Sequence, residues 1–138
     1  AGEHAAVWVL GVLGARASGL SDPATPGDRL REELAASYRE HRARRDHLDG
    51  VLRDLGESPV ASAPTYDEPD GIAAPAGLRA AALGVEQASA TAYAHLVAHS
   101  TGPLRAWAVA ALSDAATRGL VFRGTPENFP GIDELAGR

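Results

Sequence analysis

The stretch Leu30-Arg-Glu-Glu-Leu34-Ala-Ala-Ser37-Tyr-Arg-Glu-His41-Arg-Ala-Arg44-Arg-Asp-His-Leu48-Asp-Gly-Val51-Leu-Arg-Asp-Leu55 has the period of a helix and a polar centre. Its numbered residues recur at steps of three and four, which sets them on one helix face. The ends of that face are apolar. Its middle carries His41 and Arg44, where a core-facing helix should be dry. A buried charge left alone costs several kcal/mol, on the order of its desolvation penalty, so an inward Arg44 demands acidic company. Two carboxylates stand on apolar stripes elsewhere in the chain: Glu3, with Val7, Leu10, Gly14 and Ala17, and Glu86, within Ala80-Ala-Ala-Leu-Gly-Val-Glu-Gln-Ala-Ser-Ala. The expectation is an internal carboxylate–guanidinium cluster.

Composition favours helices. Alanine is abundant, β-branched residues are sparse, and all 13 basic residues are Arg. The 138 residues suffice for one domain with a real core. A net charge of −5 argues against a nucleic-acid binder, which needs a basic surface. The absence of Cys removes disulfides, thiolate nucleophiles and Cys-ligated metals. The longest apolar run, Ala5 to Ala15, falls well short of the ~20 residues of a membrane span. No signal peptide is visible, so the expected location is cytoplasmic. No side chain suited to capping precedes the first helix, and an upstream segment carrying a signal or anchor remains compatible with the sequence.

Periodicity and breakers predict helices over about 2–18, 28–55, 75–100 and 103–123, with an irregular tail over 124–138. The first is apolar nearly all round, through Trp8, Val9 and Val12 as well as its stripe. A turn with two prolines spans Gly19 to Gly27, and Gly56 is a natural stop for the second helix. Residues 57–74, with Pro59, Pro64 and Pro69, read as a crossover. A helix from Asp28 to Leu55 is roughly 40 Å long, and eighteen extended residues reach up to ~60 Å, enough to return to its far end. Thr101-Gly-Pro103 is a tight connection with proline suited to a first turn. Phe129 and Ile132 are expected to dock the tail.

Depth along the helices tests the polar layer. Glu3 lies 16 residues before Gly19 and His41 lies 15 after Pro26, so they face each other across an antiparallel hairpin. In a second hairpin Glu86 lies 15 residues before Thr101, while Asp114 and Thr117 lie 11 and 14 after Pro103. The expected layer is Glu3, His41, Arg44, Glu86 and Asp114, with Ser89, Tyr93 and Thr117 as residues that could line a ligand. Each has an ordinary reading too: Glu3 at an exposed helix start, His41 as a packing residue, Arg44 extending outward along its stem, Asp114 on either face.

Two helical hairpins with one long crossover resemble the ferritin-like superfamily, a four-helix bundle. Its metal-binding members use a Glu from each of two helices and Glu-x-x-His from each of the other two. Glu3 and Glu86 correspond to the single glutamates. The other two positions read His41-Arg-Ala-Arg44 and Asp114-Ala-Ala-Thr117, so both motifs are degenerate. The strings Glu3-His-Ala-Ala, His41-Arg-Ala-Arg-Arg-Asp, Tyr93-Ala-His-Leu and Phe129-Pro-Gly resemble an actinobacterial ferritin-like family of unknown function. The resemblance implies a single domain over 1–138. Arg44 has no lone pair to offer a metal, so the expectation is no metal, no cofactor and no catalytic residue, with a salt bridge in place of the di-metal site.

Other chemistry is thin. His95 and His99 form an i, i+4 pair without the Glu of a His-Glu-x-x-His motif. No phosphate loop or nucleophile elbow is present. The leading expectation is a non-catalytic structural or interaction module that self-associates as a homodimer, through Trp8 and Val12 if the tail does not cover them. The alternatives are a small-ligand-binding bundle and, behind it, a metal-dependent oxidoreductase. Any other partner, protein or small molecule, stays unidentified.

Overall fold

The computed structural model describes residues 1–20 and 27–132. Among them all regular structure is helical: α1 (Gly2–Gly19), α2 (Gly27–Asp54), α3 (Pro75–His99) and α4 (Gly102–Arg123). Pro23, Pro26 and the last six residues lie outside the described residues, and with them the expected proline turn and the end of the tail. The chain divides into two compact units, Ala1–Leu78 and Arg79–Arg138.

In the first unit α1 packs on α2. Glu3 touches His41, and Gly11 approaches Tyr38, so the two helices run antiparallel. The buried stripe of α1 is Glu3, Ala6, Leu10, Leu13 and Ala17. Val7 and Gly14, expected on it, are only half-buried. With 3.6 residues per turn a stripe can step by three or by four, and α1 is apolar on both sides of that choice. On α2 the residues Leu30, Leu34, Ser37, His41 and Arg44 are buried, Leu48 and Val51 half-buried, and Leu55 is exposed. Leu55 is outside because the helix has ended. Gly56, at φ 79°, donates to the Arg53 carbonyl, and the Glu57 N–H donates to the Leu52 carbonyl. Those paired bonds are a Schellman termination, which needs the left-handed backbone that glycine supplies cheaply.

Residues 57–74 then travel along α1. The Val60 carbonyl lies 3.1 Å from His4 Nε2, the Tyr66 ring sits 6.1 Å from that of Trp8, and Arg16 Nη2 donates to Glu68 at 2.8 Å. Ile72 is buried near the end of this path. Trp8 is half-buried, with the Tyr66 ring set against it.

In the second unit the remainder of α3 and α4 form another antiparallel pair. Tyr93 meets Trp107 edge-on with ring centroids 5.6 Å apart, and Gly119 faces Leu83 and Glu86. The buried stripe of α4 is Ala108, Ala111, Ala115, Gly119 and Phe122. Pro103 occupies its first turn, and Gly124, at φ 84°, closes it by donating to the Leu120 carbonyl. The tail approaches α3 through Gly131, at φ 80°, where a Cβ would lie 2.6 Å from the Ala90 carbonyl oxygen. Phe129 and Ile132, expected to dock there, stay substantially exposed. Only a residue without a side chain fits that close to backbone.

Candidate functional site

The polar residues on the inner faces of the helices are the candidate site. Glu3 sits in the first turn of α1, where the helix N-terminus favours a negative charge. His41 lies in the middle of α2 and is 0% exposed. His41 Nδ1 and Glu3 Oε2 are 2.8 Å apart. A carboxylate only accepts, so Nδ1 carries the proton and donates. This bond fixes the ring and directs Nε2 into the protein, sealed from solvent.

Arg44 lies one turn further along α2, and 3% of its side chain is exposed. Its Nε is 3.5 Å from Oε1 of Glu40, a turn earlier. Glu40 was not among the expected residues, although Glu followed four residues later by Arg is a recognisable helical pair. The bulk of the Arg44 guanidinium extends inward, with Nη1 out of reach of solvent.

In the second unit Glu86 is 1% exposed, and both carboxylate oxygens are sealed from solvent. From α4 it meets Gly119, where a Cβ would lie in ordinary contact, 3.9 Å from the Cβ of Glu86. Ser89 and Tyr93 are buried on the same helix. Asp114 and Thr117 lie elsewhere. Asp114 is half-exposed and accepts from Arg118 Nε at 2.8 Å. Thr117 is exposed, and its hydroxyl donates to the Ser113 carbonyl of its own helix at 2.9 Å. Both fall beside the stripe of Ala111, Ala115 and Gly119 rather than on it. Each helical residue turns the chain by about 100°, so neither side chain points into the packed face.

Among the described residues no three His, Asp or Glu side chains are gathered as a metal-ligand group. No helix among them is long and apolar enough to cross a membrane. Between α1 and α2 an open groove of about 720 Å³ is lined by Gly11, Gly14, Ser18, Arg31, Glu32 and Tyr38, among others.

Among the described residues these features define an all-α arrangement of four helices with ionisable side chains sunk into their packed faces. The chain belongs to the DUF4439 family, a domain of unknown function, whose profile matches residues 1–134. It is similar to a conserved hypothetical protein, Rv2844, from Mycobacterium tuberculosis, with 27% identity and a TM-score of 0.77 over 94% of this chain and 86% of that one. No curated protein matches it significantly.

Proposed function

We propose that this chain is a non-catalytic, ferritin-like four-helix domain that serves as a structural or interaction module, with an internal salt-bridge layer where metal-binding relatives of that fold hold two ions. The observation that carries this reading is the buried Glu3–His41 bond beside the solvent-sealed guanidinium of Arg44. Two carboxylate-bound metal ions need oxygen and imidazole donors directed at a shared point. The residues at the ligand positions do not fit that need. Arg44 has no lone pair, Oε2 of Glu3 accepts from His41, Asp114 is held by Arg118, and the Thr117 hydroxyl is turned to its own backbone.

A buried guanidinium such as that of Arg44 is costly without acidic company. The test is a single substitution. Arg44→Leu is expected to destabilise by about 3–5 kcal/mol, as for breaking a buried pair. An Arg44→Leu thermal melt that overlays the wild type refutes the buried counter-charge. Stoichiometric, tight iron or manganese binding refutes the non-catalytic reading.

Self-association as a homodimer belongs to the same proposal. Val109 and Leu120 stand exposed three turns apart on α4, and a second copy would cover them. A monomeric mass by light scattering at high concentration removes it. A small-ligand role is the second reading, favoured by the groove between α1 and α2, whose volume is in the range of ligand pockets.

A further inference from the structure

We propose that His95 and His99 form a two-imidazole chelate for a divalent late transition-metal ion, Cu²⁺ binding most strongly. The two residues lie four apart in the last turns of α3, and both are exposed. Their rings face each other with centroids 4.0 Å apart and planes 28° from parallel. Such a pair shares one side of the helix, the arrangement by which an i, i+4 histidine pair clasps one ion. Metal–nitrogen bonds of roughly 2.0–2.1 Å place two ligating nitrogens of one ion about 3 Å apart, a separation that exposed rings in this contact reach by side-chain torsion alone.

A second contact prepares the donor. His99 Nδ1 donates to the His95 backbone carbonyl at 2.8 Å. That bond fixes the tautomer and leaves the lone pair on Nε2, as the outer hydrogen bond of a metal-ligating histidine does. The location also favours a cation, because the C-terminal end of a helix carries the negative end of its dipole. Ser100 Oγ holds the last turn in place by donating to the Leu96 carbonyl at 2.6 Å.

The donor set selects the ion. The stretch 94–100 reads Ala-His-Leu-Val-Ala-His-Ser and contains no carboxylate. Hard cations such as Mg²⁺ and Ca²⁺ are held mainly through carboxylate oxygens, which this stretch does not supply. Two neutral imidazoles suit Zn²⁺, Ni²⁺ and Cu²⁺, with affinity greatest for Cu²⁺. Water fills the remaining positions, as in open metal sites.

The experiment is a Cu²⁺ titration of the full chain in competition with a chromophoric chelator, repeated on His95→Ala, His99→Ala and the controls His4→Ala and His47→Ala. Far-ultraviolet circular dichroism checks that each variant keeps its helices. One Cu²⁺ per chain is expected, with affinity falling at least tenfold in either His95→Ala or His99→Ala and unchanged in the controls. Ni²⁺ and Zn²⁺ are expected to bind more weakly at the same site, and Mg²⁺ not to compete. Three outcomes overturn the assignment: no saturable binding by the wild type, wild-type affinity in His95→Ala or His99→Ala, or an equal loss in a control. Weak binding that does not saturate marks an adventitious ion only and also overturns it.

Discussion

Replacing His41 with Leu removes a fully buried imidazole and strips Glu3 of its 2.8 Å donor. The Glu3 side chain retains about 10% exposure and lies in the first turn of α1, whose N-terminal dipole offsets some 0.3–1 kcal/mol of an unmatched charge. The cost therefore falls below the ~3–5 kcal/mol of a wholly interior broken pair. We expect about 2–3 kcal/mol. The converse variant, Glu3→Leu, takes from the Nδ1 proton of His41 its 2.8 Å acceptor, at a cost of about 1–3 kcal/mol. In the double variant the penalty for breaking this bond is absent, because both of its partners are gone. The loss should fall short of the sum of the single losses by roughly 1.5–2 kcal/mol, inside the range measured for residues in direct contact. Urea unfolding followed by far-ultraviolet circular dichroism at one fixed pH measures all three, with an unchanged slope required for the comparison. Single costs that add to within about 0.5 kcal/mol would refute the idea that the bond joins these residues energetically.

Two glycines should respond in opposite directions. At Gly119, inside α4, a Cβ would make ordinary contacts of 3.7–3.9 Å with Leu83, Arg123 and Glu86, so Gly119→Ala should raise stability by about 0.5–1 kcal/mol through helix propensity. Gly131→Ala meets both a positive φ and the Ala90 carbonyl, and should lower the melting temperature while freeing the tail, seen as faster amide exchange around residues 125–132. Asp114→Ala breaks a partly exposed ion pair with Arg118, and its melting curve should shift by the equivalent of no more than about 1 kcal/mol; a larger loss would show Asp114 acting inside the protein.

The helical character and the four helices were legible because proline and glycine punctuate the chain sharply, as the Schellman end at Gly56 and the proline start of α4 illustrate. The inward face of α2 was also legible down to Arg44, since Arg and Glu on its other sides give the pattern a phase. α1 and α4 offered no such phase. α1 is apolar on several sides, so Ala6 and Leu13 could not be told from Val7 and Gly14. In α4 small residues occur on every face, so the height of Asp114 and Thr117 along the axis could be counted while their direction around it could not. Distance along a helix follows from residue number alone. Direction around it needs a contrast between wet and dry sides, which a run of alanines lacks. The contact of Tyr66 with Trp8 joins an irregular segment to a helix, and no periodicity announces such a pairing.

The segment from Val60 to Glu68 is fastened to α1 by one carbonyl contact, one ring contact and one surface ion pair. Each of these is weak, and an exposed ion pair is worth ~1 kcal/mol at most. Peeling that segment away therefore needs far less energy than separating α1 from α2. Trp8 is uncovered at the first such event, so indole emission should redden at denaturant concentrations where the helical signal is still intact, a reporter of detachment that the chain already contains.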